Sequence, residues 1–359
     1  VTEPYDWRSE SDAPEPARLS VVDDRLTADQ ALRRVRKGEY LLYEGDFRNA
    51  RQLLTAMGRR VENARRAPTK TLVDAYRAER NARLLEHETL SKIVVALDPQ
   101  YRLLNLKNAP DVAAACTPVW GPAKRQTVTP LKALIGMLGA AEWRRKGLAV
   151  PGLKGKLTPH YGVFLPTRTE YVELVLAAPS PLDKVVFDVG TGTGVLGFIL
   201  LQRGAERVVA TDVDPRAVAC ARENAEALKL TARFTVEERP LFPDGTADLV
   251  ICNPPWIPEP PKNRLDRAVF DEGHQILEGF LSGLKAHLKP GGEGWLLMSD
   301  LPELLGLRAQ GFLEERFAAH GVTVIRSSTA SATHPKTKDA EDRLHSARSK
   351  EATRLWVLG

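Results

Sequence analysis

A chain of 359 residues is longer than one average domain, so two domains and a sizeable core are expected. With 43% hydrophobic and 27% charged residues, no run of eighteen apolar residues and an acidic, proline-bearing opening VTEPYDWRSESDAPEP, it reads as a globular chain without membrane span or secretory signal, expected in the cytoplasm. Charge is uneven: residues 51–150 hold 18 Lys and Arg against 8 Asp and Glu, a net +10, whereas residues 151–359 hold 25 against 27, a net −2. Such a basic segment either touches something acidic, RNA or a ribosome-associated protein first, or is a solvated arginine-rich surface. Cys116, Cys220 and Cys252 are too few and too scattered for a disulfide framework or a zinc site, and the last two sit in apolar patterns that suit a small buried hydrophobe.

In chain order, residues 1–20 lack any period and read as a loose arm, followed by a basic, mainly helical N-terminal domain over 21–150. Thr27 and Gln30 have capping-box spacing, with Ala31, Leu32 and Val35 as a short apolar face. YLLYEG (Tyr40 to Gly45) is strand-like. A helix is expected from about Arg48 to Val61, with Leu53, Leu54 and Met57 on one side and Arg51, Arg59 and Arg60 elsewhere. Residues 69–97 read as further helix, and a helical run from about Leu131 to Arg145 closes the region. The turn-rich PGLKGKLTPHYG (Pro151 to Gly162) marks a joint to a second domain, 151–359.

That second domain alternates strand and helix. Strands are expected at Lys184 to Val189, Arg207 to Thr211, near Arg233 to Val236, Ala247 to Cys252, Gly294 to Ser299, Val322 to Ser327 and Thr353 to Leu358. Helices are expected near Val195 to Gln202, Arg216 to Leu228, Gln275 to Leu288 and Leu307 to His320, with Asp214-Pro215 as N-cap and first-turn proline of the second. Short, unbroken apolar runs between helices argue for an α/β fold with a parallel sheet covered on both faces. Three strand ends carry residues able to do chemistry. The first runs into Asp188, Gly190, Gly192 and Gly194, where a backbone without Cβ atoms can approach a ligand beside a helix start. The second ends in Asp212, about twenty residues on, where nucleotide folds place the acid that takes ribose hydroxyls. The third ends in Asn253, Pro254, Pro255 and Trp256.

DVGTGTG, the acid and NPPW in this order resemble the class I S-adenosylmethionine-dependent methyltransferases, within the branch that methylates planar nitrogens: release-factor glutamine, adenine-N6 and small ribosomal RNA methyltransferases. The resemblance covers roughly residues 157–359. It implies a Rossmann-like seven-stranded sheet with an antiparallel last strand, S-adenosyl-L-methionine as cofactor, and no metal. GVFLPTRTEYVELVL resembles the branch's segment over the cofactor pocket through Phe164, Pro166, Arg168 and Glu170, with a helix expected to start near Thr167. The cofactor set it implies is Phe164, Arg168, Asp188, Gly190, Thr191, Gly192, Thr193, Gly194, Asp212, Val213, Glu238 and Asn253. The implied catalytic set is Asn253, Pro254, Pro255 and Trp256. Glu238 enters because relatives carry an acid for the adenine amino group where this chain has Pro240; Glu238 or a main-chain carbonyl is the substitute.

An amide or aromatic amine has a delocalised lone pair and attacks a sulfonium methyl poorly. Two N–H acceptors, the Asn253 side chain and the Pro254 carbonyl, held by stiff prolines, favour the pyramidal nitrogen that attacks. Trp256, where glutamine-specific relatives have tyrosine, is expected to offer a flat face to the acceptor. Rim candidates are Arg264, Arg267, Asp271, Glu272 and His274 after NPPW, and His334, Lys336, His345 and Arg348 before the last strand. The expected activity is N-methylation of a planar amide or amino nitrogen, in a translation protein's glutamine or an RNA base. A small-molecule methyltransferase and a non-catalytic RNA-binding protein with a vestigial fold are the other readings.

Overall fold

The computed structural model describes residues 4–9, 13–63 and 69–359. The chain divides into two compact units, Val1–Glu142 and Trp143–Gly359. In the first, strands β1 (Asp6–Trp7), β2 (Leu19–Val22), β3 (Tyr40–Tyr43), β4 (Ile93–Leu97) and β5 (Thr127–Pro130) form one sheet in the order β1-β5-β4-β3-β2. Neighbours run parallel except β4 and β5. Helices α1 (Ala28–Arg36), α2 (Phe47–Asn63), α3 (Leu72–Leu90) and α4 (Ala113–Trp120) lie between the strands, and α5 (Leu131–Lys146) follows β5.

The capping box is present: the Gln30 N–H donates to Thr27 Oγ1 at 3.3 Å and the Thr27 N–H to Gln30 Oε1 at 3.0 Å. Leu53, Leu54 and Met57 are buried on α2 while Arg51, Arg59 and Arg60 are exposed. Three expectations need correction. Of the arm expected over 1–20, residues 1–3 and 10–12 lie outside the described residues and the rest is not loose, because β1 pairs with β5 and Trp7 packs edge-on to Tyr40 with centroids 5.7 Å apart. Aromatic burial outweighs the turn-forming composition there. Helix does not run from 69 to 97; α3 ends at Leu90 and the β-branched IVVAL run is a strand buried along its whole length. The unit is therefore helix-rich but organised around a sheet, not mainly helical in architecture.

The division between units falls inside α5, ahead of the joint expected at 151. The helix's last turn belongs with the second unit because Arg144 bonds both carboxylate oxygens of Glu223 at 2.7 and 2.6 Å. The turn-rich joint closes as a two-stranded ribbon, Leu148–Ala149 against Lys156–Leu157.

The second unit contains α6 (Glu170–Ala177), β6 (Val185–Val189), α7 (Val195–Gln202), β7 (Arg207–Asp212), α8 (Pro215–Ala227), β8 (Phe234–Glu238), β9 (Ala247–Cys252), α9 (Gln275–His287), β10 (Leu288–Ser299), α10 (Leu301–Leu305), α11 (Phe312–Ala319), β11 (Val324–Ser331) and β12 (Ala352–Leu358). Its seven-stranded sheet has the order β8-β7-β6-β9-β10-β12-β11, parallel except that β12 runs antiparallel to both neighbours. Alternate residues of β9 enter opposite cores, Leu249 and Ile251 on one face and Val250 and Cys252 on the other, which is why the strand reads as unbroken apolar sequence. The helix expected over 307–320 begins only at Phe312, because the chain leaves α10 at Gly306 and enters α11 at Gly311, both at φ 78°. Pro290, Gly291 and Gly292 lie inside β10, where its register against β9 shifts.

Candidate active site

From β6 the chain winds to β7 and β8 on one side and later returns to β9 and β10 on the other, so the strand order reverses between β6 and β9. Ligands of open α/β sheets sit at the carboxyl ends beside such a reversal. Register pairs Val189 with Cys252, bringing the glycine turn and Asn253 side by side at that end.

The turn is built from inside. Asp188 is buried; its Oδ2 accepts from the Thr191 hydroxyl at 2.6 Å and from the Gly197 N–H at 3.1 Å, tying the loop to the first turn of α7. Burial pushes its carboxyl up to about 6, against the pull of those two donors. Thr191 and Thr193 are buried too, and the Thr193 carbonyl accepts from Asn224 at 3.1 Å. These three expected cofactor residues therefore shape the turn, and their side chains point into protein. Gly190 and Gly192 take φ 69° and 56°, and a Cβ on either would meet nothing within 4 Å. That open backbone surface is the space a ligand needs. Gly194 differs: a Cβ there would lie 2.4 Å from Phe198, so this glycine serves close packing.

Asp212 lies across from the turn. Its Oδ2 accepts from the Gly192 N–H at 2.9 Å and its Oδ1 from the Asp214 N–H at 2.9 Å. Burial raises its pKa, and the two N–H bonds oppose this. The carboxylate is held by two backbone donors and keeps lone pairs for hydroxyl groups. Val213 is 64% exposed beside it, and Glu238, paired in register with Asp212, is exposed at the end of β8. Two glycines with open Cα faces, an oriented acid, an exposed apolar side chain and a second acid at the same sheet edge fit the amino-acid, ribose and adenine parts of S-adenosylmethionine.

The third loop is braced from elsewhere. The Trp256 indole N–H donates to Asn253 Oδ1 and to the Leu297 carbonyl, each at 3.1 Å. Arg168 lies over the indole ring, its Cζ 5.2 Å from the centroid. Trp256 is thus not a bare platform: a guanidinium covers one face, and its edge pins the Asn253 amide. Arg168 is itself clamped between Glu170 and Glu351, two buried carboxylates, and Glu351 also accepts from Ser299 Oγ at 2.9 Å and meets His334 Nε2 at 3.1 Å. Two expectations change here. The segment before α6 stays irregular to Thr169, so Arg168 is on a loop and not in a helix's first turn, drawn there by the two glutamates. Its guanidinium is engaged by those two glutamates and lies over Trp256, where a cofactor carboxylate was expected to meet it. Phe164 is 37% exposed on the same segment. Glu351 and Leu297 were missed by sequence reasoning; a lone acid before a terminal strand carries no signal of its own.

Several rim candidates prove structural. Asp271 accepts from the Ile276 and Leu277 N–H groups at the start of α9, and His274 stacks on Phe312 with burial pushing its pKa down to about 4. Arg348 pairs with Asp342. His334 reaches the Arg168 clamp through Glu351, while the Arg264 side chain lies outside the described residues. Cys220 and Cys252 are buried, with burial pushing Cys220 up to about 11, as suits inert thiols. No group of three or more His, Cys, Asp or Glu placed to hold a metal occurs among the described residues.

Residues 156–324 match the family described as methyltransferase small domain. The chain is 31% identical over 162 residues to a Methanocaldococcus jannaschii protein with the provisional name protein N5-glutamine methyltransferase, covering 43% of this chain and 80% of that one. It is 32% identical over 198 residues to the release factor glutamine methyltransferase of Cereibacter sphaeroides, covering 51% of this chain and 66% of that one, just under two thirds of the relative's length. Among solved structures, the ribosomal protein L11 methylase of Lactobacillus delbrueckii subsp. bulgaricus aligns at 20% identity and a TM-score of 0.35, covering 53% of this chain and 74% of that one.

Proposed function

The chain belongs to the methyltransferase small-domain family and is a methyltransferase that uses S-adenosylmethionine, and from that premise we propose that it methylates the side-chain amide nitrogen of a glutamine in a protein of the translation apparatus. The observation that carries this reading is the Trp256 indole N–H held against Asn253 Oδ1 with Arg168 over the ring. Arg168 takes one face of the indole from any stacking nucleobase, whereas a small amide needs no ring face and only the carbonyl acceptors of Asn253 and Pro254. The relatives named for glutamine methylation support the same choice.

When bound, S-adenosylmethionine supplies an electrophilic methyl group on a sulfonium. Gly190 and Gly192 would line its amino-acid end, Asp212 its ribose, and Val213 with Glu238 its adenine. Asn253 Oδ1 spends one lone pair on Trp256 and keeps the other for an acceptor N–H, and the Pro254 carbonyl takes the second N–H. Holding both in place favours the pyramidal amide nitrogen, a preorganised electrostatic effect on the order of 10²- to 10³-fold. The departing proton leaves to water.

The test uses methyl-labelled S-adenosylmethionine, the intact chain and host extract, split into RNase-treated and protease-treated halves. Label lost only to protease, and reduced about a hundredfold by Asn253→Ala, is the expected result. Label lost only to RNase would replace the glutamine by a base, and label passing a size filter would replace it by a metabolite.

A further inference from the structure

Among the described residues the first unit ends on one side in an unpaired edge, β2, and a groove of about 740 Å³ lies against α1 with Val21 and Val22 of that strand in its lining. The Val22 carbonyl accepts from the Glu44 N–H, toward β3. Because main-chain groups alternate along a strand, those of Leu19 and Val21 face the empty side. Val21 is 57% exposed and, with Val22 and Leu26, gives the groove an apolar floor.

Its far wall is cationic. Arg25, Arg33, Arg34 and Lys37 line it against two acids, Asp23 and Glu44. Arg25 is spent on Asp23, which it grips through two nitrogens, and Arg34 on Glu39 at 2.8 Å, while Glu44 takes the Asn105 amide at 2.9 Å. Arg33 and Lys37 form no salt bridge among the described residues and are exposed. The groove therefore joins unpaired strand edge, apolar floor and surplus positive charge.

We propose that this groove is a docking site for an extended acidic peptide segment of a partner protein, which adds a strand to β2 and sets its carboxylates against Arg33 and Lys37. A strand edge offers hydrogen bonds that a peptide backbone satisfies and a nucleic acid does not. No aromatic side chain lines the groove to stack a base, as single-stranded RNA sites require. An edge of four residues predicts weak, fast docking, suited to recruitment. The proposal is independent of which nitrogen is methylated.

The experiment measures fluorescence anisotropy of a labelled twelve-residue peptide alternating Glu and Val, with the intact chain and no cofactor. Its comparators are the Lys–Val counterpart, the Glu–Val peptide N-methylated at alternate residues, and a twelve-residue oligouridine. Binding of the Glu–Val peptide alone is expected, weakened about tenfold by Arg33→Glu with Lys37→Glu, and less by the milder Arg33→Gln should the double variant misfold. Equal binding of the N-methylated peptide would overturn strand addition. Tighter binding of oligouridine, lost in the same variants, would make the groove an RNA surface. Failure of the Glu–Val peptide to bind ends the proposal and leaves the methylation assay unaffected.

Discussion

The loop after β6 and the loop after β9 lie side by side at the same sheet edge yet are held in opposite ways. The glycine turn is held by its neighbours: Asp188 grips Thr191 and Gly197, and Gly192 reaches Asp212. The NPPW loop is held by strangers, since Trp256 leans on Leu297 and Arg168, and Arg168 on Glu351, 183 residues away. On the proposed assignment, the surface for a constant cofactor is set locally, while the acceptor geometry depends on the whole second unit being folded. Substitutions at the first loop should therefore act on cofactor affinity or local stability, and those at the second on turnover.

Removing Asp212 gives the largest expected effect on this contrast. Asp212→Ala takes away a charged acceptor for ribose and leaves the Gly192 N–H without its partner, so cofactor affinity should fall about a hundredfold by calorimetry. Unchanged affinity would break the assignment of this loop to the cofactor. Next is Asp188. Burial raises its carboxyl to about 6 in the folded chain, above its unfolded value, so its contribution to stability is full below pH 4 and is lost as pH rises through 6. Both of its donors converge on Oδ2, so the single carbonyl oxygen of Asp188→Asn can keep them. The variant should gain on the parent by about 2 kcal/mol between pH 4 and 8 in urea titrations. A gap that does not change with pH would mean that Asp188 is not the titrating brace.

How much could be read from the sequence follows the same division. The inner strands β6 and β9 of the second unit were legible because burial on both faces writes them as unbroken apolar runs, and Gly190, Gly192 and Asp212 because their partners lie within about twenty residues. Thr191 and Thr193 lie in the turn as expected, but that the Thr191 hydroxyl turns to Asp188 and that the Thr193 carbonyl takes the Asn224 amide could not be read from their own positions. The roles of Arg168 and Trp256 were not legible, since neither Glu351 nor Leu297 is near them in sequence. In the first unit Ile93–Leu97 was read as helix, because a five-residue apolar run following a helix has no period long enough to show its change of structure.

The smallest expected effect bears most directly on the second loop. Trp256→Phe keeps an aromatic ring under Arg168 but removes the N–H that Asn253 Oδ1 and the Leu297 carbonyl share. If Trp256 acts by stacking on the acceptor, phenylalanine should serve and kcat should hold. If it acts by orienting Asn253, kcat should fall about tenfold with KM nearly unchanged, the cost of one neutral hydrogen bond plus a partner left unsatisfied. The pairing also has a signature that general damage to the loop would not give. In a double-mutant cycle, adding Trp256→Phe to Asn253→Ala should cost almost nothing further, because the amide that the indole positions is already gone. Full additivity of the two losses would separate the residues and return Trp256 to the role of a surface for the acceptor.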